Sequence, residues 1–305
     1  MRHDEPMSEI ALLVNSAARA GRAANDLSGI LERLAHHGLK PEILEASTPE
    51  AVSQVIAASL APRILLAGGD GVLHHALPAL AGSGRILGLI PAGTGNDAAR
   101  AWGLLDGNLA NQVDRALAEP TAIDLISGGP RPVATSVISG FPAAVNTRAN
   151  AMRFPKGQAR YTVATLAELP KMRPQDYCLT LDGKEHQLKA AVVAVANTAY
   201  FGAGMAICPE ADSTDGLLDI CVVGQVSRLE LLRSFTQIRT GSHVDHPKVF
   251  MFQAAEVTIK GAGPARGDGE TLSDLPLTLR SDPGSLLVAG VGLGSAHDQP
   301  NHLPD

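Results

Sequence analysis

Apolar residues in the first part of the chain alternate between short unbroken runs and stretches that recur every three or four positions. The runs Ile10 to Val14, Ile64 to Leu66 and Ile86 to Ile90 read as strands covered on both faces, as in a parallel sheet. Between them, Leu27, Ile30, Leu31, Leu34 and Ala35 form one helical face that Gly38 closes. A weaker strand is expected near Glu42 to Leu44. The next helix has two possible starts: Ser47 with Glu50 makes a capping box, while Thr48 followed by Pro49 suits N-cap and N1. Val52, Val55, Ile56 and Leu60 supply its buried stripe. Val72, Leu73, Ala76, Leu77 and Leu80 predict a helix directly after the third strand. Another helix runs from Ala98 to Gly103, and a further one carries Leu109, Val113, Ala116 and Leu117 inward. Thr121 to Ile126 follows as a strand.

From Val133 the texture changes to short strands with turn punctuation. Val133 to Ile138, Tyr177 to Leu181, Leu188 to Ala196, Leu217 to Val223, Glu256 to Ile259 and Leu277 to Leu279 read as strands, and Asp182-Gly183 as a hairpin turn. Helices interrupt them around Tyr161 to Leu169 and from Ser227, where Glu230 completes a capping box. Ser285 to Val291 is a last apolar strand that can return to the first domain. The expected fold is α/β plus mostly β: an open parallel sheet with helices on both faces over residues 1–125, completed by 285–292, then a β-sandwich-like domain over 126–284. Residues 295–305 read as a loose polar tail.

Composition narrows the classes. The 305 residues suffice for two modest domains, and with 45% hydrophobic and 18% charged residues the chain is globular in character. No apolar run reaches the roughly 18 residues of a membrane span. Met1 to Glu9 lacks an apolar core of the signal-peptide kind, which predicts a cytoplasmic protein. Cys178, Cys208 and Cys221 are widely spaced and read as reduced thiols. A net charge of -6 argues against nucleic acid as the main partner but leaves nucleotides open.

Chemistry concentrates in glycine-rich turns. Gly68-Gly69-Asp70-Gly71 follows a strand and opens a helix, the arrangement in which backbone N–H groups meet phosphate. A carboxylate beside phosphates calls for a cation between them, so Asp70 points to a divalent metal, unless the turn is a solvated surface loop. Pro91-Ala92-Gly93-Thr94-Gly95-Asn96-Asp97 ends the next strand, and in an open sheet the two turns lie together at the carboxyl edge. Thr94 and Asn96 suit phosphate oxygens, and Asp97 the ribose or adenine side of a nucleotide. Asp124, amid Ile123, Leu125 and Ile126, either ends a strand or is paired. Arg266-Gly267-Asp268-Gly269-Glu270 sets two carboxylates on a turn that could deprotonate an alcohol, or is a plain solvated turn. A Walker A sequence is absent, and Gly93-x-Gly95-x-x-Ala98 fits a dinucleotide fingerprint without the acid expected after the next strand. His243 and His246 lack a recognisable third metal ligand. Of His74-His75, at most one can face a site beside the first turn. Arg148, Arg153, Lys156, Arg160, Lys171 and Arg173, facing only Glu168 and mixed with Met152, Phe154 and Tyr161, form a basic, apolar patch suited to an anionic bilayer or simply to solvent.

Taken together, Gly68-Gly69-Asp70-Gly71, Pro91 to Asp97 and Asp268-Gly269-Glu270 resemble the diacylglycerol kinase catalytic family, the soluble bacterial lipid kinases related to sphingosine kinases. Gly157 to Tyr161, Asn197 to Met205, Pro209 to Asp219 and His246 to Val249 extend the resemblance over nearly the whole chain. It implies a nucleotide in the cleft between the two domains and transfer from ATP, with Mg²⁺, to the hydroxyl of diacylglycerol or a similar lipid alcohol. It further implies ATP held by Asn15, Arg19, Gly68, Gly69, Asp70, Gly71, Gly93, Thr94, Gly95, Asn96 and Asp97. Catalytic magnesium would lie near Asp70 and Asp124, and a structural magnesium near Asp212, Asp215 and Leu218. Asp268 would be the base, supported by Glu270. Peripheral contact with a membrane surface is implied, and a homodimer through an exposed strand edge stays open beside a monomer. The chain departs from the family pattern at three places. Ser16 and Arg19 stand where its first turn, N-P-x-S-G, has proline and glycine, Val72 replaces a threonine, and His74-His75 replace Asn-Glu. These departures keep two rivals in view: a kinase for a sphingoid base or NAD, and a non-catalytic nucleotide- or lipid-binding regulator.

Overall fold

The computed structural model describes residues 8–15, 22–105, 107–152, 154 and 158–292. The first half alternates β1 (Ile10–Asn15), α1 (Arg22–His36), β2 (Glu42–Ala46), α2 (Pro49–Ala58), β3 (Arg63–Gly68), α3 (Asp70–Leu80) and β4 (Ile86–Pro91), then α4 (Asp97–Ala101), α5 (Leu109–Leu117) and β5 (Pro120–Ser127). Strands β2, β1, β3 and β4 lie in that order and pair in parallel. Leu13 and Leu66 pack to one face with Ile56 of α2 and Leu77 of α3, while Leu12 and Leu65 pack to the other with Ile30 of α1 and Val113 of α5. Burial on both faces is why these strands read as unbroken apolar runs. Of the two possible starts for α2, Thr48 is the N-cap, its hydroxyl accepting from Ala51 N–H, with Pro49 first in the helix.

The second half contains β6 (Ser136–Gly140), α6 (Phe141–Ala151), α7 (Gln158–Glu168), β7 (Gln175–Leu181), β8 (Lys184–Ala190), β9 (Val192–Ala196), β10 (Tyr200–Phe201), β11 (Met205–Ala206), β12 (Leu218–Val223), α8 (Arg228–Thr240), β13 (Val249–Ala254), β14 (Glu256–Lys260), β15 (Pro264–Gly267), β16 (Glu270–Asp274) and β17 (Leu277–Ala289). An antiparallel sheet in the order β13-β12-β9-β6-β15-β16 stacks on β14 and β7 through Val137, Val193, Val195, Ile220, Leu179 and Val257, which makes the sandwich. Its outer face is covered by residues of α6 and α8.

Two expectations change. The strand expected from Leu188 to Ala196 is two strands in different sheets, broken at Ala191, whose N–H bonds Val223 O. The short strands expected at Leu277 to Leu279 and Ser285 to Val291 are one 13-residue strand, β17, with a register shift between Asp282 and Leu286. β17 pairs β14 at one end and β4 at the other, so the first sheet runs on into the second half as β4-β17-β14-β7-β8. The halves therefore share a sheet through β17. No helix among the described residues is long and apolar enough to cross a membrane. The expected tail at 295–305 lies outside the described residues.

Candidate active site

The order β2-β1-β3-β4 puts a topological switch point between β1 and β3, and the crevice beyond their carboxyl ends is where such sheets bind ligands. A cleft of about 240 Å³ opens there, with Thr48, Pro49, Gly71, Val72, His75 and Glu270 among its walls. Glu270 comes from β16, so the cleft has one wall from each half of the molecule.

The first of two glycine turns reaches its wall at Gly71. Gly69 caps α3, and the turn after β4 passes so close that a Cβ on Gly69 would stand 2.8 Å from Gly93 Cα. Asn96 shapes that second turn: its Oδ1 accepts from Gly93 N–H and its Nδ2 donates to Gly93 O, both at 3.0 Å, with Asn96 itself left-handed at φ 53°. Thr94 is exposed at the tip. Asn96 thus holds the turn's shape and leaves Thr94 at its exposed tip.

Asp70 opens α3 between the turns. Its Oδ1 accepts from Ala98 N–H at 3.2 Å, and its Oδ2 lies 2.9 Å from where a Gly95 Cβ would be. Asp97 is buried beside it, and both its oxygens accept from backbone N–H groups, Ala203 at 2.9 Å and Gly204 at 2.7 Å. Burial raises the Asp97 carboxyl above its ordinary range, the two amides oppose that, and the Asp70 charge adds to it. Asp97 is therefore an anchor for the β10–β11 hairpin. Asp70, half-buried between two turns of backbone donors, fits a magnesium held by one carboxylate and phosphate oxygens.

Asp124 lies in β5. It is 2% exposed; Oδ1 accepts from Gly284 N–H at 2.7 Å and Oδ2 from Gly216 N–H at 2.8 Å. Asp124 pins the bulge of β17 to the loop before β12. In that loop Asp212 accepts from the N–H and hydroxyl of Thr214, and Asp215 from Leu217 N–H, while Leu218 is buried at the start of β12. Their charges crowd Asp219, whose carboxyl is pushed up to about 6, first by burial and then by Asp215. No group of three His, Cys, Asp or Glu with metal-holding geometry occurs among the described residues.

Asp268 and Gly269 join β15 to β16, both with positive φ (50° and 81°). That is the two-residue hairpin turn which Asp-Gly favours. The Asp268 side chain is 2% exposed. Oδ1 accepts from Thr135 N–H at 2.8 Å and its hydroxyl at 2.7 Å; Oδ2 accepts from Ala134 N–H at 3.2 Å and meets His74 Nδ1 at 3.0 Å. Asp268, the base that the family resemblance implies, is thus seated between the segment before β6 and His74 of α3. Glu270, two residues on, faces the cleft.

His75 also lines the cleft, its Nδ1 3.1 Å from the Arg131 guanidinium. Burial lowers its pKa first, then the charges of His74 and Arg131, against Glu270 and Glu50. Arg131, Thr48, Thr135 and Ala134 were not singled out from the sequence as site residues. Thr48 had a signal as a helix cap, and the others had none, because only the fold brings the stretch before β6 against the β15–β16 turn. Asn15 ends β1, while Arg19 and its turn lie outside the described residues. His243 is fully buried with Nε2 3.1 Å from Ile207 O, a core contact.

The comparisons with known proteins agree with this architecture. Residues 9–127 match the family described as diacylglycerol kinase catalytic domain, and residues 135–290 the YegS C-terminal NAD kinase beta sandwich-like domain. The chain is 36% identical over 298 residues to a diacylglycerol kinase of Mycobacterium tuberculosis, covering 94% of this chain and 96% of that one. It is 27% identical to a diacylglycerol kinase of Bacillus subtilis, over 64% of this chain and 66% of the relative. Among solved structures, a diacylglycerol kinase from Bacillus anthracis superposes with a TM-score of 0.75 at 21% identity, covering 93% of this chain and 98% of that one. An NAD kinase from Archaeoglobus fulgidus in complex with ATP gives 0.51 at 14% identity, covering 94% and 95%.

Proposed function

The chain belongs to the diacylglycerol kinase family, and from that premise we propose that it is an ATP- and Mg²⁺-dependent lipid kinase that phosphorylates the hydroxyl of diacylglycerol or a similar lipid alcohol. The observation that carries this reading is the pair of glycine turns in contact at Gly69 and Gly93, with the Asp70 carboxylate between them. Backbone N–H groups of the turns and the start of α3 cradle the phosphates of ATP, and Thr94 adds a hydroxyl. Asp70 is the carboxylate that holds Mg²⁺, which when bound neutralises charge on the transferring phosphoryl group. The adjoining cleft, with Thr48, His75 and Glu270, takes the rest of the nucleotide. The product from diacylglycerol is phosphatidic acid. Exposed Phe154, Val163 and Leu166 suit contact with the membrane that carries the substrate.

A radiolabelled-ATP assay over diacylglycerol, a sphingoid base and NAD, each with Mg²⁺ or chelator, tests the reading. Label is expected in diacylglycerol and lost with chelator. Label confined to NAD or the sphingoid base moves the substrate class, and no label in any acceptor overturns the kinase reading.

A further inference from the structure

His75 lines the cleft from α3, about one turn beyond Gly71 at the start of that helix. Its Nδ1 stands 3.1 Å from the Arg131 guanidinium. A guanidinium only donates, so Nδ1 is the acceptor, and the hydrogen of the neutral ring sits on Nε2. Burial lowers the pKa of the ring, the charges of His74 and Arg131 add to that, and Glu270 and Glu50 oppose it, so the neutral form is favoured. Among the described residues Nε2 has no hydrogen-bond partner, and it is not one of the side-chain atoms that are both fully buried and unbonded. The ring therefore offers one accessible N–H, its tautomer set by a residue from the stretch between β5 and β6, on a side chain that forms part of the cleft wall.

We propose that His75 donates a hydrogen bond from Nε2 to an acceptor atom on the nucleoside part of the bound nucleotide, with Arg131 as its positioning residue. The proposal rests on the nucleotide-binding part of the reading above. The family pattern has Glu at this position, and an ionised carboxylate only accepts. The chain thus reverses the hydrogen-bond polarity of one point on the cleft wall: it selects for an acceptor where that pattern selects for a donor. The phosphates belong at the start of α3, by Gly71. His75 stands past them, on the wall that also holds Thr48 and Pro49 at the start of α2, which is why its partner is the base or sugar. Glu270, on the wall from β16, supplies an acceptor in the same cleft, so the donors of the nucleoside are still served.

The test is calorimetric titration of the full chain with ATP and Mg²⁺, in high salt so that added charge is screened, for wild type, His75→Ala, His75→Gln and His75→Glu, each checked by thermal melt. His75→Ala is expected to raise the Kd about 2–10-fold, the worth of one net hydrogen bond. His75→Gln, which keeps an N–H near the place of Nε2, is expected to stay within about twofold of wild type, and His75→Glu, of the same size without the donor, to bind at least as weakly as His75→Ala. Titration with 2′- and 3′-deoxy-ATP finds the acceptor: a His75→Glu loss that vanishes with either puts it on the sugar, and one that persists with both puts it on the base. Nitrogen-15 NMR of labelled histidine in the wild type is expected to show His75 protonated at Nε2 and bare at Nδ1, and in Arg131→Ala to move the Nδ1 signal toward that of an unbonded imidazole nitrogen. Equal losses in folded His75→Ala, His75→Gln and His75→Glu, wild-type affinity in all three, or a wild-type ring protonated at Nδ1 overturns the donor role while the kinase reading stands, and an unmoved Nδ1 signal in Arg131→Ala overturns the role of Arg131. ATP bound with these effects but no acceptor labelled overturns the kinase reading alone, and no binding of ATP to wild type overturns both.

Discussion

At Gly93 a single methyl group is decisive. A Cβ there would stand 2.5 Å from Gly69 Cα and 2.7 Å from Asn96 Oδ1, so the two turns would have to part. Overpacking of this kind costs about 1–3 kcal/mol. Gly93→Ala is expected to lower the melting temperature and raise the Kd for ATP, measured by thermal melt and calorimetric titration. Unchanged ATP affinity would show that the close approach is not needed. The turn glycines were legible in the sequence because a strand ends in them and a helix begins. The hydrogen-bond partners of Asp97 and Asp268 were not, because Ala203, Gly204, Ala134, Thr135 and His74 come from distant segments that only the folded chain brings near.

Elements announced themselves where local chemistry is strong. Ser227 and Glu230 form the full capping box at α8, and Asp182-Gly183 makes the β7–β8 turn with φ of 46° and 85°. The same dipeptide at 268–269 makes the same turn between β15 and β16. Helix α6 was missed, since it begins at Phe141-Pro142 with mostly small residues and no clear apolar stripe. The link between α4 and the β10–β11 hairpin is tertiary in origin: Asp97 holds the amides of Ala203 and Gly204. Asp97→Asn turns one acceptor into a donor facing an N–H. The expected outcome is a loss of about 1–3 kcal/mol with faster amide exchange at Ala203 and Gly204, followed by hydrogen-exchange mass spectrometry. Exchange at the wild-type rate there would contradict the anchoring role.

For the whole molecule, β17 decides how the halves relate. It is shared by both, and Asp124 fastens its bulge at Gly284 to Gly216, so the walls of the cleft are set by one continuous sheet. The basic patch is altered by packing: Arg148 and Lys171 both bond Glu168 Oε1, while Arg153 and Lys156 lie outside the described residues. Phe154 at 82% and Leu166 at 60% exposure remain as apolar projections. Replacing both by Asp is expected to reduce flotation with anionic vesicles by about tenfold or more, since each large apolar side chain buried in lipid contributes roughly 1.5–3 kcal/mol. Kinase activity on a short-chain, water-dispersed substrate should be retained. Flotation at the wild-type level would remove this surface from the membrane contact.

The sequence by itself determined the parallel α/β half, the β-rich half and the three glycine–carboxylate turns. These depend on periodicity, caps and φ preferences, which act over a few residues. Tertiary structure alone decided what each carboxylate bonds: Asp70 accepts from Ala98 N–H of the neighbouring turn, and Asp97, Asp124 and Asp268 each accept from donors in distant segments. It also decided that His74, 194 positions before Asp268 in the chain, is that residue's partner. A hydrogen bond is specified by where two groups meet, and no local pattern in the chain records a meeting of segments so far apart.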